Sequence, residues 1–388
     1  MKYAIWFVRL LFASWMIPAG VNHFVRIFPQ PMGSKPLSHE LIVALIDSHL
    51  FDIVKIVELI AGLSVLTGFY TSLALLLCMP VSFCVFFWDA PLEGWRSRAA
   101  QFGYSVLLCN VLLCIAYIRS YQPMFAAGTG TRLMLAGRLI LGAWMLANGI
   151  NHFFFPLWSE PAGHEPLAMQ LMAAFVHSGL LDVAMAIQLG AGALLLAGLL
   201  VPVALCVLMP VSTCALYWSV ILEHHPVGAA LALAAFALNG VLMLGNLNYY
   251  KGALQRYMPT LGEGSGGSTV FETVFVQISG RTKRSQFVPA LITLLAVMAF
   301  YVYLVKGRTA QWCLLVLLFP ATVLLVRRLR DMGRPVWLLL VPAVLMVGAF
   351  TIWLGYAIPG AALASSLPIA ALAVSAAFAL WGCVGESR

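Results

Sequence analysis

Runs of roughly 17 to 25 predominantly apolar residues recur along this 388-residue chain at about 4–27, 52–70, 71–90, 101–121, 134–155, 180–199, 200–221, 226–247, 287–305, 309–326, 336–356 and 361–383. Runs of that length match the hydrocarbon thickness of a bilayer when helical. In lipid, every backbone N–H and C=O must find its partner within the segment, so runs of this length are helices. The expected fold is therefore an all-α integral membrane protein with about twelve transmembrane helices. Composition agrees, with 62% hydrophobic and 9% charged residues, where a water-soluble globule carries about a quarter charged. Lys2 ahead of an apolar run and small residues at Ala19-Gly20 resemble a secretory leader, but Arg9 interrupts the run. We read a retained helix there.

The second constraint is duplication. Arg9–Phe24 (RLLFASWMIPAGVNHF) returns at Arg138–Phe153 (RLILGAWMLANGINHF), with Arg9, Leu10, Trp15, Met16, Gly20, Asn22, His23 and Phe24 matched by identical residues. At 100° per residue, Arg9, Met16, Gly20 and His23 fall within an arc of roughly 60°, so the repeat preserves a helix face. The likeness continues. Gly62-to-Gly68 matches Gly192-to-Gly198, Met79-Pro80-Val81-Ser82 matches Met209-Pro210-Val211-Ser212, and Cys84, Trp88, Asn110 and Tyr121 match Cys214, Trp218, Asn239 and Tyr250. Four spans per copy is an even number, so the copies are expected to be parallel repeats about an axis along the membrane normal. The Gly/Ser/Thr-rich stretch after Pro259 divides them from the rest. The expected domains are 1–126, 127–258 and 259–388, the last a linker followed by a third four-helix unit. Between spans one and two, residues 39–50 read as a short helix at the outer interface, as do residues 164–178 in the second copy. Residues 269–287 read as a β-prone polar strip.

Orientation follows from Lys and Arg by loop. An N-in, C-in arrangement places fifteen inside and six outside, with Lys55 within a span; that bias fits a bacterial inner membrane. The formal net charge of +8 is then a topology signal, and the partners expected are membrane lipids and a protein of a membrane complex, not nucleic acid. Arg9 and Arg138 lie one to two turns inside the boundary, where they are expected to snorkel to lipid phosphate. Arg327, Arg328, Arg330 and Arg334 read as inside anchors that bind acidic lipid. The eight cysteines lie in apolar segments without a C-x-x-C spacing and read as buried small hydrophobes.

Two family resemblances arise at this point. The doubled unit, with R-L…G-x-N-H-F in its first helix and the Gly-rich ELIAGLSVLTG in its second, resembles the DoxX-like family of small bacterial membrane proteins over about 1–125 and 130–250. That family includes the membrane subunit of an archaeal thiosulfate:quinone oxidoreductase and a partner of thiol-redox enzymes, so the resemblance implies a redox-linked or partner-binding role. The last third resembles the inner-membrane family typified by YhaH, through Gly280-Arg281, Arg284, Phe287, Arg327-Arg328-Leu329, Asp331, Gly333 and Trp337. It departs from that pattern at Val288, where an aromatic is usual, and at Arg330, where His is common. That family has no settled activity.

Chemistry is expected at the outer end. All eight histidines and ten of the fourteen carboxylates fall on the side that the charge count places outside. The plain structural reading is that His and acidic residues are tolerated in outward loops from which Lys and Arg are excluded; such a mixture also relays protons or binds Cu²⁺ or Zn²⁺, although no H-x-x-x-H or H-E-x-x-H spacing is present. His23 and His152 each end the duplicated face, and Asp52 and Asp182 begin the following span on the same side. A His–Asp contact in each copy would fix one imidazole tautomer, either for proton handling or as a cap tying two helices together. Lys55 and Glu58 are three apart and share a face within span two; an intramembrane charge is expensive unless paired. The second copy has Met185 and Gln188 there, so the two charges are expected to form a pair that only the first copy carries. The candidate catalytic residues are His23, Asp52, Glu58 and Lys55, and the candidate ligand-binding residues are Trp15, Trp88, His152 and Asp182. The function expected is a redox-linked or partner-binding subunit taking a quinone-like molecule near its outer face. A carrier of lipid or solute and a non-catalytic assembly subunit are the alternatives. The cofactor is unassigned beyond quinone or a copper or zinc ion, and no C-x-x-C-H haem-attachment motif occurs.

Overall fold

A computed structural model describes residues 2–128, 130–159, 162–261, 270–305, 314–353 and 361–387. Glu160, most of the linker, Lys306, Arg308, Cys313, Arg388 and the start of the expected tenth span lie outside the described residues. The described chain is helical: α1 Lys2–Val25, α2 Pro36–Asp47, α3 Leu50–Thr67, α4 Thr71–Phe87, α5 Arg98–Ala116, α6 Arg132–Phe153, α7 Pro166–Ser178, α8 Leu180–Ala197, α9 Val201–Tyr217, α10 Pro226–Gly245, α11 Val270–Phe275, α12 Arg284–Val305, α13 Leu314–Asp331, α14 Leu340–Trp353 and α15 Ala361–Val384. Among the described residues, nine helices are long and apolar enough to cross a membrane. Three expected spans are not among them: α3 has the length but carries Asp52, Lys55 and Glu58, α13 ends in four charged residues, and Val336–Ala349 is shorter. The strip expected to be β-prone contains helix α11 instead, because Phe271 and Phe275, one helical turn apart, both bury completely.

Local sequence sets the ends of these elements in matching ways. Pro36, Pro166 and Pro226 open α2, α7 and α10 at the first turn, where their missing N–H costs nothing. Ser97 and Thr131 accept hydrogen bonds from Ala100 and Met134 and so cap α5 and α6. Helices α3 and α8 stop at Gly68 and Gly198, with φ of 85° and 71°. Two residues on, Tyr70 and Leu200 are held at φ of 50° and 48°, a left-handed backbone that bulky residues seldom adopt. The tight links from α3 to α4 and from α8 to α9 are thus formed by the same strained turn. Pro80 and Pro210 lie within α4 and α9, and each of those helices leads into a π-helical turn, Trp88–Leu92 or Trp218–Leu222.

Contacts divide the chain into two compact units. Trp15–Ser265 forms one. In it, the last turns of α1 cross α3 with almost no spacing: a Cβ at Gly20 would lie 2.7 Å from Leu59 Cβ and 2.9 Å from the Lys55 carbonyl oxygen, and one at Gly62 would lie 2.9 Å from Ile17 N. Small residues are what let membrane helices approach this closely. The shared face of the sequence repeat is therefore a packing surface, and it seats α1 directly on the turn that carries Lys55. The halves of this unit meet through α2 and α7, where Leu41, Ala44, Leu50, Ala168, Leu171, Ala174 and Leu222 form one core. Around it, His177 Nδ1 contacts Glu40 Oε1 at 2.7 Å, Gln170 donates to Asp47 and the Tyr217 hydroxyl donates to the Ser48 carbonyl. At the other end, Tyr121 and Tyr250 donate to the carbonyls of Ser72 and Pro202, both at 2.7 Å.

Met1–Ser14 and Gly266–Arg388 form the other unit. Its centre is aromatic, with Trp6 edge-on to Phe271 and Phe275. Arg9 is fully buried beside them, 2.7 Å from Glu272 and 3.8 Å over the ring of Phe271. The expected snorkelling of Arg9 to lipid phosphate is therefore corrected, because its charge is matched inside the protein. Arg327 and Arg328 are buried as well. Arg327 donates to the carbonyls of Gln277, Ser279 and Arg281, while Arg328 pairs with Asp331 and donates to the carbonyls of Gly382 and Gly385. They are internal braces, not lipid anchors, since each guanidinium has all the acceptors that its fork can reach. The cysteine expectation also needs correcting: Cys78 and Cys109 are buried, but Cys84 and Cys214 are exposed.

Candidate functional site

The chemistry-bearing residues of the first half lie along α3. Asp52, Lys55 and Glu58 follow one another at steps of three, which puts acid, base and acid on one side of the helix. Asp52 is held between two imidazoles, with His23 Nε2 at 2.6 Å from one oxygen and His49 Nδ1 at 3.1 Å from the other. His23 comes from the end of α1 and His49 from the residue that precedes α3, which takes a left-handed backbone with φ of 58°. One turn deeper, Lys55 Nζ donates to Glu58 Oε2 at 2.7 Å and lies 4.7 Å from the ring of Phe51. Lys55 is 8% exposed and Glu58 1%. The contacts expected from the sequence spacing, His23 with Asp52 and Lys55 with Glu58, are present.

The second half keeps the His–Asp contact and replaces the ion pair. His152 Nε2 lies 2.8 Å from Asp182. At the depth of the ion pair, Gln188 accepts a hydrogen bond from Asn148 at 3.0 Å and turns its amide nitrogen to the Met185 sulfur at 3.6 Å. The first copy has Ala19 where the second has Asn148. The substitution of charge by neutral polarity thus spans both helices. Of the other expected site residues, Trp15 packs edge-on against Phe102 at 3.9 Å between ring centres, and Trp88 donates its indole N–H to the Ser38 carbonyl at 2.8 Å. Trp88 is therefore tied to α2, as Trp218 is tied to the Ala168 carbonyl of α7.

Sequence reasoning missed three features here. Asp89 is 2% exposed and lies against α5, where a Cβ at Gly103 would come within 2.6 Å of its own Cβ. Its counterpart in the second copy is Ser219, so it joins Lys55 and Glu58 as a buried ionisable group found only in the first half. Glu93 accepts from the Ser34 backbone N–H and from the hydroxyls of Ser34 and Ser38, fixing the approach to α2. Burial pushes its carboxyl up, but these hydrogen bonds outweigh it and hold the group below the ordinary glutamate value. Glu223 does the same before α7, accepting from the backbone N–H groups of His164 and Glu165 and contacting the His164 ring. The His164 backbone bond is the main reason that its pKa is lowered. The repeat contained the signal for this clamp, an acid that follows the Trp-x-x-x-Leu turn in both copies. No group of three or more His, Cys, Asp or Glu side chains able to hold a metal ion is found among the described residues, so the copper or zinc expectation gains no ligand set.

Helices of this length and apolarity define a polytopic membrane protein with a buried ionic site. A family model described as a protein of unknown function, DUF805, matches residues 275–366. That match covers part of the C-terminal unit and is consistent with its YhaH-like motifs. No curated protein and no solved structure matches the chain, and the comparisons supply no counterpart for the DoxX-like resemblance of residues 1–250.

Proposed function

We propose that the chain is a bacterial inner-membrane protein built from two parallel DoxX-like four-helix repeats and a third four-helix unit, with twelve crossings and both termini inside. On this reading the first repeat is a redox-linked subunit that binds a quinone-like molecule near its outer face and works with a protein partner. One observation carries the proposal. A buried Lys55–Glu58 pair stands where the second repeat holds the same helices with a neutral Asn148–Gln188 hydrogen bond. Desolvating two charges costs several kcal/mol, and their attraction recovers that only with excellent geometry. A neutral solution is present in the same chain, so packing alone does not account for the charged one. An α3 of eighteen residues is about 27 Å long, enough to cross, and its charges share one side.

A quinone takes up two protons with two electrons. On this reading Glu58, with Lys55 as its counter-ion, faces the head group, and both protons reach it from the outer surface by way of His23, Asp52 and Glu58. Electrons come from the partner. The test is extraction of the full-length protein, purified in mild detergent, followed by chromatographic measurement of quinone. Retained quinone that is lost in the Ala19→Asn/Lys55→Met/Glu58→Gln variant supports the reading. Quinone-free wild-type protein, or equal retention by both, overturns it.

A further inference from the structure

The C-terminal unit has an uneven charge ledger. Among described residues 270–387 the acids are Glu272, Asp331 and Glu386. Glu272 is used by Arg9 and Asp331 by Arg328, both inside the protein. Arg327 is absorbed by backbone carbonyls. That leaves Arg281, Lys283, Arg284, Arg330 and Arg334 facing a single exposed carboxylate, Glu386.

These five cations are gathered at one end of the unit. Arg327, near the end of α13, grips the carbonyls of Gln277, Ser279 and Arg281, and Thr282 N donates to the Arg327 carbonyl. The loop carrying Arg281 and Lys283 is thereby fastened to the end of α13, and α12 opens beside it at Arg284. Arg330 donates to the Ile278 carbonyl of the same loop. The Arg334 guanidinium lies 5.8 Å from the ring of Trp381, and Trp337 stands 62% exposed three residues on. Helix α12, long and apolar enough to cross a membrane, begins at this surface with Arg284, and a cationic surface at the end of such a helix falls at the depth of lipid head groups. An exposed tryptophan beside arginines is the composition of a membrane–water boundary.

We infer that this surface binds the phosphate head groups of anionic phospholipid, with Arg281, Lys283, Arg284 and Arg334 as the contacting cations. The buried arginines do not touch the lipid; they fix the loop that presents the others. Each exposed cation near an anionic surface strengthens attachment about fivefold. Removing three should therefore weaken it by about a hundredfold.

The test uses the full-length protein in mild detergent, titrated with phosphatidylglycerol, phosphatidylethanolamine or inorganic phosphate, with bound lipid counted by native mass spectrometry. We expect phosphatidylglycerol to be retained over phosphatidylethanolamine. Arg281→Gln/Lys283→Gln/Arg284→Gln should lose about a hundredfold in retention, 0.5 M salt, a condition that screens beyond a few ångströms, should strip the lipid from wild type, and Arg281→Lys/Lys283→Arg/Arg284→Lys should retain it. Equal retention of the two lipids, or an unaffected triple glutamine variant, overturns the inference. So does displacement by millimolar inorganic phosphate, which would make this a soluble-phosphate surface. If the glutamine variant does not fold, the lipid comparison and the salt titration on wild type still decide.

Discussion

Removing one member of the Lys55–Glu58 pair should damage the protein far more than removing both. The two side chains are 2.7 Å apart and 8% and 1% exposed, so Glu58→Gln leaves an ammonium, and Lys55→Met a carboxylate, inside the bundle without its partner. Breaking a buried pair in this way costs about 3–5 kcal/mol. For a unit of this size each kcal/mol moves the midpoint by about 2–4 °C, so each single variant should melt on the order of 10 °C below wild type. The Lys55→Met/Glu58→Gln double variant removes both charges but leaves the new amide only a sulfur to face. It should recover most of the loss. Adding Ala19→Asn rebuilds the Asn148–Gln188 hydrogen bond of the second half, and the triple variant should melt within about 3 °C of wild type, or above it. The assay is thermal unfolding in one detergent, followed by intrinsic tryptophan fluorescence. Single variants that melt with the wild type would show that the pair is hydrated. A triple variant as unstable as the singles would show that the loss came from packing and not from an unpaired charge, and the reasoning would fail.

Two further outcomes are expected. Because the Glu223 carboxyl is held below its ordinary value, the stabilisation from its contacts with His164 and Glu165 is complete above the unfolded-state pKa and lost as pH falls through the lower folded one; limited proteolysis of the chain ahead of α7 should accelerate in that acid window, and Glu223→Gln should bring the acceleration to neutral pH. In the C-terminal unit, Arg9→Gln and Glu272→Gln should each destabilise by about 3–5 kcal/mol, and a double-mutant cycle should return a coupling of at least about 1 kcal/mol, with additive losses in denaturant titration speaking against the pair.

What could be read from the sequence was what repeats or lies close along the chain. The His23–Asp52 contact, its counterpart His152–Asp182 and the Lys55–Glu58 pair follow from helical spacing and from two copies that can be compared. Gly20 and Gly62 recur in both copies, but that they lie at a close helix crossing is known only from the structure. Arg9 was misread because its partner is 263 residues away, and no periodicity carries information over that span. The only local hint was an acid, Glu272, lying between Phe271 and Phe275. Arg327 and Arg328 misled for a related reason: arginine at a helix end reads as an anchor until the carbonyls of a distant loop are placed around it. Asp89 was hidden among the outward carboxylates, since residue type alone does not tell a surface acid from one pressed against Gly103.

The burial of Arg9 also bears on how the protein is made. At about 5–20 residues per second, the ribosome adds Glu272 roughly 15–50 s after it has added Arg9. Throughout that time the first helix carries a guanidinium whose carboxylate partner, Glu272, has not yet been made. Only the C-terminal third supplies the carboxylate and the Phe271 ring that cover it. A chain that stops short in the linker therefore announces its own incompleteness from its first helix, through a guanidinium without the carboxylate that answers it.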